Sequence, residues 1–176
     1  MLEVPEHSVW LLPSEAQLTA LRAQVQALAP RHEGHLFEPH VTVQGDLPLA
    51  PEPARALVDR LAAASPPLQW PVGAVEGTEH YFRSLYLRLE AGESFERLCR
   101  ACVQASGTAD GLSPYAHLSL AYGPTRGDAH ALRARLMREL GGAPLVFDRI
   151  ALARSGQAVP IDQWALVHVQ PLRGTA

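Results

Sequence analysis

The chain has 176 residues, enough for one domain with a sizeable core, and its apolar content of 47% against 19% charged residues excludes a disordered or fibrous protein. A net charge of −3 at pH 7 disfavours the broad basic surface that wraps long nucleic acid. Two cysteines exclude a disulfide framework, and no apolar run reaches the length of a signal peptide or membrane span, so the expectation is a cytoplasmic protein.

In chain order, "SVWLLP" from Ser8 reads as a short strand stopped by Pro13. Ser14 and Gln17 have capping-box spacing, and Leu18, Leu21, Val25 and Leu28 follow on one helical face until Pro30. "HVTVQGDL" is a strand signal. Pro51 to Ala64 is a second helix with Leu57, Val58 and Leu61 inward, broken by Pro66 and Pro67. A strand is expected from Leu68 to about Val75, then another in "YFRSLYLRLE", where Leu85, Leu87 and Leu89 alternate with polar neighbours. Phe95, Leu98, Cys99, Cys102 and Val103 mark a third helix. A Gly/Ser-rich loop leads to "HLSLAY". A fourth helix runs from about Asp128 to Leu140, with Leu132, Leu136, Met137 and Leu140 inward, and "LVFDRIALARS" and "WALVHVQPL" close the chain as strands.

This order divides into two similar halves, each with a histidine motif on the strand after its first helix. The reading is one α+β domain over residues 1–176 with two lobes, an internal duplication.

The motifs are His40-Val41-Thr42-Val43 and His117-Leu118-Ser119-Leu120. Residues i and i+2 of a strand share a face, so His40 pairs with Thr42 and His117 with Ser119, while the apolar residues point into the cores behind. One such motif alone is more simply a core histidine with a hydrogen bond. Two at matching positions imply a shared cleft, because burying each polar group unpaired costs about 1–3 kcal/mol. Two imidazoles supply a neutral base and a protonated acid near neutral pH. The hydroxyls supply donors for the charge that develops on a phosphoryl group. The chemistry indicated is phosphodiester hydrolysis, with no metal or other cofactor required.

At these residues the chain resembles the 2H phosphoesterase superfamily, and most of all its cyclic phosphodiesterase branch. The resemblance is carried by "SVWLLP", "FEPHVTV", "YFRSLYL", "YAHLSLAYG", "DRIALAR" and the late Trp164-Ala-Leu-Val, in that order over nearly the whole chain. It implies a two-lobed LigT-like fold with pseudo-two-fold duplicated antiparallel sheets, outer helices and a central cleft. The implied activity is metal-independent opening of a nucleoside 2′,3′-cyclic phosphate to the 2′-phosphate, or of ADP-ribose 1″,2″-cyclic phosphate to the 1″-phosphate. It implies His40 and His117 as the acid/base pair, Thr42 and Ser119 as phosphate ligands, Tyr122 as a further phosphate contact, and Phe82 and Trp10 as substrate-binding aromatics. Strict alternation turns Tyr122 away from His117, so its role requires a bend or bulge. The expected partner is a small cyclic nucleotide bound by a monomer, with neither long nucleic acid nor membrane.

Two alternatives stay open: an RNA 2′,3′-cyclic phosphodiesterase or 2′–5′ RNA ligase-like enzyme, and a non-catalytic nucleotide-binding module. Cys99 and Cys102 read as core, not zinc ligands, since both fall on the apolar stripe with no second pair. His32 and His35 read as solvated loop residues. Arg83 and Arg126 read as surface arginines, with contact to a second phosphate as the competing role, and Tyr86 is left between cleft and sheet face.

Overall fold

The computed structural model describes residues 6–175, so the two ends of the expected 1–176 domain lie outside it. Seven strands and four helices alternate in the expected order. They are β1 (His7–Pro13), α1 (Glu15–Leu28), β2 (Val41–Gln44), α2 (Pro51–Ala64), β3 (Leu68–Glu76), β4 (Leu85–Leu89), α3 (Gly92–Ser106), β5 (His117–Ala121), α4 (Ala129–Leu140), β6 (Pro144–Arg154) and β7 (Ala165–Pro171). The fold is α+β with an antiparallel sheet ordered β1-β2-β5-β4-β3-β6-β7, and a further pairing joins β1 to β6, the strand next to the opposite edge.

The sheet has two parts, which do not follow the two sequence halves: β3 joins strands of the second half, and β6 and β7 join strands of the first. β7, β6, β1 and β2 make one, and β3, β4 and β5 the other. They meet where β2 pairs with β5 through Val41 and Leu118, and where β3 pairs with the first residues of β6. The motif strands therefore lie side by side at the junction. The helices exchange lobes: α1 packs against β5 and α3 against β2. Val41, Val43, Leu118 and Leu120 are fully buried beneath them, so the apolar half of each motif anchors its strand.

β1 is buried on both faces, which explains its unbroken apolar run. Val9 and Leu11 enter the main core, while Trp10 and Leu12 pack with Ala151, Ala153 and Trp164 in a second cluster on the cleft side.

Several local expectations need correction. Ser14 makes no side-chain cap; Gln17 instead reaches β6, donating to the Pro144 carbonyl (2.9 Å) and accepting from the Val146 N–H (2.8 Å). A long-range partner replaces the local one and stitches α1 to the sheet. Tyr81–Arg83 form a 3-10 turn, and the strand begins only at Leu85. Met137, expected inward, is 38% exposed, and Leu132 and Leu136 alone form the buried face of α4. His32 is buried, not solvated, with Nδ1 donating to the Gly123 carbonyl at 2.9 Å.

Candidate active site

The two motif strands carry the same irregularity at the same place. Along β2 the register passes from Thr42 opposite Trp10 to Gln44 opposite Val9, which leaves Val43 as an extra residue. Along β5 it passes from Ser119 opposite Tyr86 to Ala121 opposite Leu85, which leaves Leu120 extra. Each bulge directly follows the hydroxyl residue. A bulge resets the in/out alternation, so two successive side chains turn from the cleft and the next one returns. In β5 that next residue is Tyr122; in β2 it is Gly45. The bend that Tyr122 requires is therefore present, and where Tyr122 fills one side of the cleft, Gly45 leaves room on the other.

His40 and His117 line one cavity of about 230 Å³, together with Thr42, Ser119, Tyr122, Phe82 and Trp10. The structure thus gathers all seven sequence-selected residues. Each histidine ring is fixed in the same way. His40 Nδ1 donates to the carbonyl of Glu38 (2.6 Å), and His117 Nδ1 donates to that of Tyr115 (3.1 Å), both two residues upstream. A carbonyl only accepts, so Nδ1 carries the proton in both rings, and Nε2 is the nitrogen left to exchange a proton in the cleft.

The residue opposite each hydroxyl is an aromatic that packs on the motif histidine. Trp10 stacks on His40 with centroids 3.6 Å apart and planes at 10°, whereas Tyr86 meets His117 edge-on at 5.2 Å. Trp164 closes the His40 side, 6.1 Å from that ring and 5.8 Å from Trp10. Burial in this aromatic setting lowers His40 to about 4, with the nearby His117 adding to the effect. Burial also lowers His117, and Arg83, Arg88 and His80 push the same way. Both rings are therefore neutral at pH 7 before any anion binds.

The Ser119 hydroxyl donates to the Phe82 carbonyl (3.2 Å), tying β5 to the turn before β4. Burial raises the Tyr122 phenol far above its ordinary value, so it remains a proton donor at neutral pH. Tyr86 lies behind His117, its hydroxyl sharing a hydrogen bond with Tyr115 (2.7 Å) and donating to Glu76 (2.9 Å). It backs the histidine and does not line the cavity. Phe82 packs within 6.0 Å of Trp164.

Arg83 also lines the cavity, which corrects its reading as a surface arginine; Arg126 is exposed and does not. Trp164, Gly45, Asp46, His80 and the segments at Gly111–Pro114 and Ser155–Gln157 also line the cavity; the sequence reading quoted Trp164 without a site role and singled out none of the others. A Cβ on Gly111 would clash with the Gly45 carbonyl oxygen, so this close approach requires glycine. Only the lone Trp164 ahead of an alternating strand gave a signal, and its contact with His40 depends on sheet pairing that spacing does not encode. Cys99 and Cys102 sit on α3, and burial raises them to about 11 and about 12, in keeping with packed, unreactive thiols. Among the described residues, no group of three or more His, Cys, Asp and Glu is placed to hold a metal ion. No described helix is long and apolar enough to cross a membrane.

The fold is shared with known phosphoesterases. Escherichia coli LigT in complex with 3′-AMP matches over 97% of this chain and 99% of its own, at a TM-score of 0.60 and 13% identity. TT0787 of Thermus thermophilus matches over the same shares, at 0.60 and 20% identity. A further crystal structure of a phosphoesterase, again over 97% of this chain and 99% of its own, matches at 0.61 and 12% identity. No protein-family model and no curated protein sequence matches the chain. The fold is therefore that of the LigT-like 2H phosphoesterases, spanning the chain almost end to end.

Proposed function

We propose that the protein is a 2H phosphoesterase that hydrolyses a cyclic phosphodiester on a small nucleotide, without a metal ion. The observation that carries this reading is the pair of histidines in one cleft, each latched through Nδ1 to the carbonyl two residues upstream, each with a hydroxyl two residues downstream.

In the proposed step, Nε2 of one neutral histidine takes a proton from water as the new P–O bond forms. The other histidine, protonated once the phosphate anion is bound, gives its proton to the ribose oxygen as the old P–O bond breaks. The ring opens to a phosphomonoester, and both histidines have exchanged protonation states. Thr42, Ser119 and Tyr122 donate to the non-bridging oxygens, where charge grows in the transition state. Phe82 and Trp164 offer an apolar wall for a base.

A cavity of about 230 Å³ and a net charge of −3 favour a small nucleotide over a long strand. LigT has been crystallised with 3′-AMP, NADP+ and ATP, ligands of that size on the same fold, which supports the reading. Both motifs are intact, which favours catalysis over simple nucleotide binding.

The test is incubation with 2′,3′-cyclic AMP in excess EDTA, with products resolved by phosphorus NMR. Turnover to the 2′-phosphate alone, undiminished by the chelator, is expected. An absence of turnover, or loss of activity on chelation restored by metal, contradicts the proposal.

A further inference from the structure

We propose that Arg83 and His80 form a second anion subsite, which takes a phosphate of the substrate other than the one being hydrolysed. This rests on the cyclic phosphodiesterase reading and narrows its substrate class to a cyclic nucleotide that bears an additional, non-cyclic phosphate.

Both residues line the cavity that holds His40 and His117. They flank one 3-10 turn, His80 as its extended N-cap and Arg83 as its last residue, and both reach the cavity. The turn is pinned. The Arg83 N–H donates to the His80 carbonyl (2.8 Å), and Thr78 donates to the Arg83 carbonyl through both its N–H (2.8 Å) and its hydroxyl (2.9 Å). Ser119 fastens the same turn to β5 through the Phe82 carbonyl, so Arg83 and His80 sit beside the hydroxyls assigned to the reacting phosphate without being among them.

The charge balance of the cleft leaves Arg83 without a counter-ion. Arg22, Arg149 and Arg154 each pair with a carboxylate, and Arg88 lies 3.6 Å from Glu76. Arg83 has no carboxylate within ion-pair distance among the described residues. Among the described residues the one carboxylate lining the cavity, Asp46, accepts from the Gln157 N–H at 3.1 Å. A half-buried guanidinium in a concave wall, unpaired and held on a rigid turn, is matched by a phosphate, whose oxygens fit its planar donors. Arg83 and His80 both contribute to the depressed proton affinity of His117, so both side chains lie in electrostatic range of the reacting centre. Arg126, by contrast, lies exposed outside the cavity and offers no such site.

The experiment compares kcat/KM for adenosine 2′,3′-cyclic phosphate and for its 5′-phosphorylated form, at fixed ionic strength, in the wild type and in Arg83→Gln, Arg83→Lys and His80→Gln. The wild type is expected to favour the 5′-phosphorylated substrate by about tenfold or more, mainly through KM, as charge-assisted hydrogen bonds provide. Arg83→Gln brings the ratio to about one, while Arg83→Lys and His80→Gln retain part of it. A wild type that turns over both substrates equally well overturns the subsite, and so does a preference that survives Arg83→Gln. An equal loss on both substrates places Arg83 on the reacting phosphate and also overturns it. Failure to hydrolyse either compound removes the cyclic phosphodiesterase reading itself, a different result from turnover without preference.

Discussion

Trp10 lies flat on His40, with ring centroids 3.6 Å apart and planes 10° from parallel. The two meet because Trp10 stands opposite Thr42 across the β1–β2 ladder and so shares the cleft face with His40. The stack withdraws one face of the imidazole from water, and burial is the main reason its proton affinity is low.

Trp10→Ala should therefore move the His40 titration upward from about 4 towards the ordinary 6.5. Nitrogen-detected NMR of the histidine rings reads this directly, and Trp10→Phe should give an intermediate value. The alanine variant also loses about 3–5 kcal/mol of stability, as expected for a large aromatic removed from a buried site. A His40 titration unchanged in a folded Trp10→Ala protein contradicts the account.

Acid stability tests the same burial from the opposite direction. The folded protein resists protonating His40 down to about pH 4, whereas the unfolded chain accepts that proton near 6.5. Its contribution is thus present above pH 6.5 and is lost progressively as pH falls to about 4. The full difference is about 3 kcal/mol. Urea unfolding at about pH 7 and about pH 4 should show a smaller acid loss in His40→Gln than in the wild type. Equal losses in the two proteins rule out this role for His40.

The carbonyls that hold the two rings belong to residues whose side chains are themselves tethered. Arg22 grips the Glu38 carboxylate through two nitrogens (2.6 and 3.0 Å), while Tyr115 is held by the Tyr86 hydroxyl and by Arg88, 3.8 Å above its ring. Glu38 is partly exposed, so the ion pair is worth at most about 1 kcal/mol. Arg22→Ala is expected to lower kcat by no more than about fivefold with KM nearly unchanged, and Arg22→Lys to recover part of it. A change in KM alone would assign Arg22 to substrate binding instead.

The element order was legible because each helix and strand carries its own period: Leu85, Leu87 and Leu89 alternate, and Phe95, Leu98 and Cys102 recur at helical spacing. The motif residues were legible because a polar pair on one face of a buried strand stands out twice. Sheet pairing was not legible. It decides that Trp10 meets His40, that Trp164 closes the same side and that Gly45 and Tyr122 both return to the one cleft. The solvated-loop reading of His32 failed for a similar reason, since its partner, Gly123, lies 91 positions away. Gln17 likewise looked like a capping residue because its competitors on β6 are remote in sequence.

The matched bulges at Val43 and Leu120 give a further expectation for Tyr122. If the reset brings its phenol to the phosphate, Tyr122→Phe should lower kcat by about tenfold to a hundredfold, with stability nearly retained, because only the donor is removed. Unaltered kcat in a folded variant would assign Tyr122 to packing against Phe37, 4.2 Å away.

The central claim is that His40 and His117 act as one proton-transfer pair. Its most direct test is the rate on 2′,3′-cyclic AMP for His40→Gln, His117→Gln and the double variant, at equal folded concentration. Each single substitution is expected to cost about a hundredfold to ten-thousandfold, and the double variant little more than either single one, because both residues serve the same step. Wild-type rates in either single variant, or losses that simply multiply in the double, would contradict it.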